Sequence, residues 1–258
     1  QPNAMGGREE GGLANQLAVH RGFDPQSVSD VEAFWHAPHI ARQPGLKAVD
    51  LFDAMGEGKI KFIWILATNP VVSLPDSQRV IQALQACPCV VVSDITANAD
   101  TAQYADILLP AAAWGEKSGM VTNSERGLSR QREFQPMPGA VRPDWWAVSQ
   151  VARKMGFDKA FDFSGPAAIF REFAAMTALN LSTHYQFELS ILADMSDGDY
   201  AAWRPAAWPL NAKHRLFEDG KYSTPDGRAC FVTVRPNERL EPNVDWWLNT
   251  GRQRDQWH

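Results

Sequence analysis

Several features that would assign a chain to a common class are missing from this sequence. Its three cysteines, Cys87, Cys89 and Cys230, are too few for a disulfide framework or a four-ligand metal set. No apolar run approaches the roughly 20 residues that cross a bilayer, and QPNAMGGREEGG lacks the basic start and apolar stretch of a signal peptide. The net charge of −5 argues against broad binding to nucleic acid or anionic membranes. We therefore expect a cytoplasmic protein with neither kind of partner.

Phosphate-binding and hydrolytic motifs are also missing. The stretch GGREEGG has neither the spacing nor the preceding strand of a Walker or Rossmann loop, and we interpret it as a flexible loop. The six histidines are scattered, and Pro38 interrupts the pair His36 and His39. We predict no metal site within the chain.

The clearest positive pattern lies between residues 61 and 109. Continuous apolar runs at 61–67, 89–92 and 107–109 have the composition of buried strands, with the amphipathic stretch Ser77–Ala86 and a short helical segment at 101–105 between them. Alternating strands and helices with such apolar strands are typical of a parallel sheet covered on both faces. The sequence therefore predicts an α/β fold, with a Rossmann-like parallel sheet and helices on both of its faces.

Polar side chains follow each of these predicted strands. Asn69 comes after the first, Ser93 and Asp94 after the second, and the loop with Lys117 after the third. Ligands of parallel sheets bind at the carboxyl ends of the strands, and a carboxylate can accept two donors from a ribose diol or a guanine edge. Alternatively, Asn69 is a turn residue that bonds its local backbone, and Lys117 is a solvated surface charge.

The remaining segments contain further helix and turn signals. We predict helices at 144–155, with Asp144 as the N-cap, and at 166–175, and a loop or hairpin at 120–135. The chain begins with Gln1 instead of Met and stops within the donor-rich stretch NTGRQRDQWH. We expect a piece of a larger protein.

Long stretches of the sequence resemble one family. QPNAMGGREEGGLANQL, GKIKFIWILATNPVVSLPD, VVVSDITANADTAQYADILLPAAAWGEKSGMVTNSERGLSRQR, RPDWW and NTGRQRDQWH are similar to the catalytic subunit of assimilatory nitrate reductases, which are molybdopterin oxidoreductases. The resemblance follows essentially the whole chain in order. It implies that residues 1–205 are part of the central α/β domain. Residues 206–258 would be a linker hairpin and the first strand of a small, β-rich dinucleotide-binding domain.

The resemblance also implies a reaction and its cofactors. The parent enzyme would reduce nitrate to nitrite by oxygen-atom transfer, with a molybdenum bis(molybdopterin guanine dinucleotide) centre. Electrons would come from a donor protein or reductase subunit through a [4Fe–4S] cluster, for which this chain has no ligands. The chain would then line the substrate funnel and hold part of the cofactor, and it would be inactive alone.

Individual positions take roles from the same resemblance. Asn69 would contact one guanine dinucleotide, Ser93 and Asp94 its nucleoside end, Lys117 a phosphate or pterin oxygen, and Asp144 a base edge. Arg8 would face the molybdenum cavity and attract nitrate. The terminal residues would wrap a pyrophosphate and pterin: Asn249, Thr250, Gly251, Arg252, Gln253, Arg254, Asp255, Gln256, Trp257 and His258.

Two departures and two alternatives accompany the resemblance. The family usually has an apolar residue where Glu10 stands and a basic residue where Gly127 stands. A fragment of a formate dehydrogenase-type molybdopterin enzyme and a self-standing nucleotide-binding module are the alternatives. Because surfaces that other domains normally cover would be exposed, we also expect some non-native self-association of the chain.

Overall fold

Two small sheets organise the chain, one parallel and one antiparallel. The structure is a computed structural model and describes residues 4–210, 215–235 and Trp246. Its α-helices are α1 (Ala4–Glu9), α2 (Pro25–Trp35), α3 (Ala48–Gly56), α4 (Pro70–Ser73), α5 (Ser77–Ala86), α6 (Asp144–Lys154), α7 (Pro166–Met176) and α8 (Asp197–Ala202). Its strands are β1 (Ile63–Leu66), β2 (Val90–Asp94), β3 (Ile107–Pro110), β4 (Gly119–Thr122), β5 (Gly127–Gln131) and β6 (Ala206–Ala207).

The parallel sheet has the order β1-β2-β3. Ile63 lies beside Val90 and Ile65 beside Val92, so these branched side chains form one apolar face. Such residues favour the pleated, buried environment of a central strand. The predicted α/β fold with a parallel sheet is confirmed.

The face formed by these residues packs against α3 and α5. Asp76 caps α5 by accepting a hydrogen bond from the Arg79 backbone N–H at 3.3 Å, and Val80, Ala83 and Leu84 recur at helical spacing and are buried. We call the resulting cluster the parallel-sheet core; it consists of Phe52, Met55, Ile63, Ile65, Val71, Val80, Ala83, Leu84, Cys87, Val90, Val92 and Ala102.

The antiparallel sheet has the order β4-β5-β6. The turn between β4 and β5 is closed by the Asn123 side chain, which accepts hydrogen bonds from the backbone N–H groups of Glu125 at 2.9 Å and Gly127 at 2.8 Å. The segment 120–135, predicted as a loop or a hairpin, therefore contains a hairpin.

A second apolar cluster packs around this hairpin and α7, and we call it the mixed core. The buried side chain of Asn180 joins distant parts of it by donating hydrogen bonds to the carbonyls of Val19 at 3.0 Å and Phe187 at 2.8 Å. Its buried members are Val19, Val31, Leu128, Phe170, Ala174, Met176, Phe187, Leu189, Leu192, Tyr200 and Trp208.

The interpretation of GGREEGG as a flexible loop is wrong for residues 6–9, whereas residues 10 and 11 form a turn. Residues Ala4–Glu9 form α1, and Gly11 at φ +75° reverses the chain after it. The Gly12 N–H donates to the Gly7 carbonyl at 2.7 Å and the Gly11 N–H to the Arg8 carbonyl at 3.1 Å. This is the hydrogen-bond pattern of a helix that ends at a left-handed glycine.

The C-terminal part of the chain is described only in pieces. Strand β6 pairs with β5, and residues 215–235 contain turns but no strand. The rest of the β-rich piece expected at 206–258 lies outside the described residues, and the domain division stays a prediction. No helix within the described ranges combines the length and the apolar character needed to cross a bilayer.

Candidate functional site

The carboxyl ends of the three parallel strands form one row. Leu66 lies beside Ser93, and Asp94 lies beside Pro110. Beyond the strands, the Ala67 N–H donates to the Ser93 carbonyl at 3.2 Å, and the Ala111 N–H to the Asp94 carbonyl at 2.9 Å. The segments that follow the strands therefore leave the sheet at the same edge, as the sequence predicts.

Asn69 ties the end of β1 to the 3₁₀ turn Thr101–Tyr104. Its Oδ1 atom accepts hydrogen bonds from the Thr101 backbone N–H at 3.2 Å and from the Thr101 hydroxyl at 2.6 Å. Its Nδ2 atom donates to Asp100 at 3.2 Å. The structural role that the sequence left open for Asn69 is present, and its contact with a dinucleotide stays a prediction.

Ser93 and Asp94 differ in their exposure. The Ser93 side chain is buried, and its hydroxyl accepts a hydrogen bond from the indole N–H of Trp64 at 2.8 Å. The Asp94 side chain is partly exposed, and its Oδ1 atom accepts from the Thr96 backbone N–H at 3.0 Å. Of the two, Asp94 therefore offers the more accessible group.

Lys117 and Asp144 lie together although 27 residues separate them in the chain. The Lys117 Nζ atom is 3.5 Å from Asp144 Oδ2, and both side chains are 29% exposed. Asp144 is the first residue of α6, whereas Pro143 occupies the N-cap, so the prediction that Asp144 is the N-cap is wrong. The other carboxylate oxygen, Oδ1, is buried and has no hydrogen-bond partner among the described residues.

This pair can bind a ligand that carries both a donor and an anionic group. A buried carboxylate oxygen without a partner is costly, and native proteins normally satisfy such atoms. A ligand N–H would satisfy Asp144 Oδ1, and the Lys117 ammonium would meet a phosphate or a carbonyl oxygen. Guanine and pterin rings present N–H edges of this kind, and their dinucleotides carry phosphates. The pair therefore fits such a group.

Arg8 and Glu10 stand at the end of α1 with different environments. Arg8 lies in the last turn of the helix, and its side chain is exposed. Glu10 is partly buried, accepts a hydrogen bond from the Thr122 hydroxyl, and lines a cavity of about 290 Å³. Burial raises the pKa of Glu10 to about 7. The other residues lining this cavity are Ser118, Gly119, Met120, Trp145, Pro166, Ile169, Phe170 and Phe173.

The described residues contain no candidate metal site, and the predicted ligand residues at the chain terminus are not among them. Within the described ranges, no group of three or more His, Cys, Asp and Glu side chains could hold a metal ion. Cys87, Cys89 and Cys230 are free thiols. The predicted ligand residues Asn249 to His258 lie outside the described residues, so their role stays a prediction.

The contact between Glu10 and Thr122 has no local signal in the sequence. Thr122 is 112 residues away in the chain, and α7 supplies much of the cavity wall. The available signal was the position itself, a carboxyl where the resembling family usually has an apolar residue.

Residues 5–154 match the molybdopterin oxidoreductase family. Because this match covers more than half of the chain, the chain belongs to the molybdopterin oxidoreductase family. Membership implies a molybdopterin cofactor, consistent with the donor and acceptor pair of Lys117 and Asp144.

Individual relatives within this family include nitrate reductases and formate dehydrogenases. A nitrate reductase of Shewanella frigidimarina is 51% identical over 100% of this chain and 29% of its own length. A nitrate reductase of Klebsiella oxytoca is 46% identical over 100% of this chain and 30% of its own length. The α subunit of an F420-dependent formate dehydrogenase 2 of Methanococcus maripaludis is 30% identical over 98% of this chain and 36% of its own length. This chain thus spans about a third of these relatives.

A solved structure shares the fold. Acetylene hydratase from Pelobacter acetylenicus superposes with a TM-score of 0.53 at 21% identity, covering 70% of this chain and 23% of that protein. At this identity the likeness shows the architecture and not a shared reaction.

Proposed function

We propose that this chain is part of a molybdenum-dependent nitrate reductase, in which it binds a molybdopterin guanine dinucleotide and lines the approach of nitrate. One structural observation carries the binding role: the buried, unpartnered Oδ1 atom of Asp144 beside the Lys117 ammonium. Support for the branch comes from relatives called nitrate reductases at 51% and 46% identity, with the formate dehydrogenase relative at 30%.

The residues around this pair take defined roles in the proposal. Asp144 accepts from the N–H edge of the guanine or the pterin, and Lys117 donates to a phosphate or pterin oxygen. Asp94 accepts from the nucleoside end, since its partly exposed carboxylate stands at the end of β2. Asn69 and Ser93 hold the strand ends in place through their bonds to Thr101 and Trp64.

Nitrate is the proposed substrate. When bound, the cofactor supplies the oxygen-atom transfer chemistry. The exposed guanidinium of Arg8 attracts and orients the anion, because its planar set of donors suits a trigonal oxyanion. Electrons reach the site from a donor protein through a [4Fe–4S] cluster held outside this chain. An assimilatory role and a cytoplasmic location belong to the same proposal.

The proposal is tested with the full-length, cofactor-loaded enzyme that contains this chain. We expect nitrate reduction with a reduced viologen dye as the electron donor and no formate oxidation. The variant Asp144→Ala should lose most of its bound molybdenum and the guanine nucleotide released by acid hydrolysis, because the cofactor loses its partner. Asp158→Ala, a change at an exposed carboxylate, is the matched control and should retain both.

Other outcomes would support the other candidates. Formate oxidation without nitrate reduction would place the enzyme in the formate dehydrogenase branch. A self-standing nucleotide-binding module predicts tight, unaided binding of a guanine nucleotide by the 258-residue chain, measured by calorimetry with Asp94→Ala as the control. Sedimentation of the same sample tests the expected self-association, which a monodisperse monomer would contradict.

A further inference from the structure

The cavity beside α1 combines one carboxyl with apolar walls. Glu10 reaches into it from the end of α1, while β4 contributes Met120 and α7 contributes Ile169, Phe170 and Phe173. The carboxyl accepts a hydrogen bond from the hydroxyl of Thr122. A carboxylate in such surroundings is poorly solvated, so the protonated form is favoured.

The cavity lies beside the groups to which the proposed function assigns the cofactor and the substrate. Trp145 and Ser118 line its wall, and they are the direct chain neighbours of Asp144 and Lys117. Glu10 is two residues from Arg8, the residue proposed to attract nitrate. The Ser118 hydroxyl is a second proton-carrying group on the same wall.

The proposed reaction consumes protons. Removing one oxygen atom from nitrate breaks an N–O bond and gives nitrite, and the oxygen ends as water. This conversion takes up two electrons, which the reduced cofactor supplies, and two protons. The partly buried carboxyl of Glu10 on the cavity wall is a group of the right chemistry to deliver such a proton.

We propose that Glu10 is a proton donor for nitrate reduction, delivering its proton from the cavity between the segment that carries Arg8 and the helix that carries Asp144. The inference rests on the proposed function. In each turnover the O–H bond of Glu10 breaks, its proton contributes to the water formed, and the carboxylate is reprotonated from solvent. The second proton comes from solvent.

The ionisation of Glu10 suits this role. Burial raises its pKa from 4.5 to about 7, and general acids work best when their pKa lies near the working pH. Charged groups on the surrounding elements are absent from the cavity wall itself. These groups are Arg8 and Glu9 on α1, Lys117 before β4, Arg130 on β5, Asp144, Arg153 and Lys154 on α6, and Arg171 and Glu172 on α7.

The test uses the full-length, cofactor-loaded enzyme and the variant Glu10→Gln, which keeps the size of the side chain and an acceptor for Thr122 but cannot ionise. We expect kcat near neutral pH to fall by about 100-fold, at the lower end of the range for losing a general acid, with little change in the KM for nitrate. Glu9→Gln, one residue away and outside the cavity wall, should behave like the wild type.

An infrared pH titration provides a readout that does not depend on turnover. The wild-type minus Glu10→Gln difference should contain the carbonyl band of a protonated carboxylic acid that disappears around neutral pH. A band that has already disappeared at the ordinary pH for a glutamate would overturn the proposal. So would an unchanged kcat-against-pH profile in Glu10→Gln.

Thr122→Val is a second variant that leaves the carboxyl in place, in case Glu10→Gln does not fold. It removes the hydroxyl partner of Glu10, so the pH midpoint of the infrared band should move, and the midpoint of kcat should move with it. A band that moves while the kcat midpoint stays fixed would overturn the role of Glu10. Wild-type enzyme that reduces no nitrate would instead remove the proposed function, a distinguishable result.

Discussion

Within the described ranges, the part of the chain around the parallel sheet has partners for its buried side-chain polar atoms, whereas the part around the mixed core leaves several such atoms without a partner. At the strand ends, Asn69, Ser93 and Asp94 each have hydrogen-bond partners. Among the described residues, the buried side-chain atoms without a partner all lie outside residues 48–110; they belong to Gln16, Arg21, Arg130, Asp144, Asn180, Tyr200 and Trp208.

We interpret this difference as a division of roles: the parallel sheet fixes positions, and the part around the mixed core supplies the costly groups of a functional site. A sheet whose polar ends are internally bonded can fix positions, and it gains stability from doing so. Unpaired buried atoms and a carboxyl with a strongly raised pKa are costly, and such groups concentrate at functional sites. Asp144, to which we assign cofactor binding, is one of the unpaired groups, and Glu10, to which we assign proton donation, is the carboxyl with the raised pKa.

The largest expected effect tests whether the mixed core is nevertheless well packed. Phe187 is fully buried, and its ring lies 4.9 Å from that of Trp208 and 5.8 Å from that of Phe173, measured between centroids. Phe187→Ala should lower the free energy of unfolding by about 3–5 kcal/mol, because it leaves a cavity among packed rings. Urea unfolding measures the loss.

Two control variants show how the loss from Phe187→Ala compares with that at an exposed ring and with that in the parallel-sheet core. Phe231→Ala changes an exposed ring and should leave the free energy of unfolding nearly unchanged. Leu84→Ala makes a matched cavity in the parallel-sheet core and should cost about 2–5 kcal/mol. A loss from Phe187→Ala below that from Leu84→Ala would mean that the mixed core is loosely packed, contrary to its burial.

The next effect depends on pH and concerns Glu10. The folded protein keeps the Glu10 proton up to about pH 7, whereas an ordinary glutamate loses it near 4.5. Between these values the unfolded state binds fewer protons, so stability falls as the pH rises. The raised pKa corresponds to a loss of about 3 kcal/mol across this window, since one pKa unit is about 1.4 kcal/mol.

The variant Glu10→Gln cannot ionise at this position, so it isolates the contribution of Glu10 to the pH dependence of stability. The wild type should lose stability relative to Glu10→Gln as the pH rises from about 4.5 to about 7, with no further relative change above that. Urea unfolding at several pH values measures the difference, and Glu9→Gln should follow the wild type. Parallel curves for the wild type and Glu10→Gln would show that burial does not hold the proton on Glu10.

A third effect tests the internal bonding at the strand ends. Asn69→Ala removes the acceptor of both the backbone N–H and the hydroxyl of Thr101, whose side chain is buried. Leaving such donors unsatisfied costs about 1–3 kcal/mol. We expect this loss in cofactor-free protein by urea unfolding, while Asn98→Ala, at an exposed position, has little effect. Normal stability with lost cofactor binding would instead make Asn69 a ligand residue alone.

The same division explains how much the sequence could predict. The apolar runs of β1 and β2 and the amphipathic stretch of α5 carry their own local signals, and these elements form where the pattern indicates. Position along a parallel strand also predicts that Asn69 and Asp94 stand at one edge of the sheet. The internal partner of Asn69, Thr101, lies 32 residues away and has no local signature.

Outside the parallel sheet, the decisive contacts are long-range. The cavity around Glu10 joins α1 to β4, α6 and α7, and no window of sequence contains these elements together. Helix α1 has a weak local signal because glycines disfavour helix interiors, although Gly11 provides the turn that ends it. The pairing of Lys117 with Asp144 depends on how α6 returns to the strand ends, and the sequence suggested these residues only through resemblance.

The smallest expected effect compares two helix caps, one in each part of the chain. Asp24 caps α2 by accepting from the Ser27 N–H at 3.0 Å, and hydrogen bonds with the side chain and then the backbone of Ser27 lower the pKa of Asp24. Asp24→Ala should cost about 1 kcal/mol, while Asp24→Asn keeps an acceptor and should cost much less. Because the folded-state pKa is lowered, the cap's charge-dependent stabilisation is present above the ordinary pKa of an aspartate and is lost as the pH falls through the lowered value.

Asp76→Ala is the matching change at the cap of α5. Asp76 has φ +56°, a left-handed conformation that alanine tolerates poorly, so this substitution should cost more than Asp24→Ala. Asp76→Gly relieves that strain, and we expect it to be milder than Asp76→Ala by thermal unfolding. If the two alanine variants lost equal stability and glycine brought no relief, backbone strain would not distinguish the two caps, and the hydrogen bond alone would account for both.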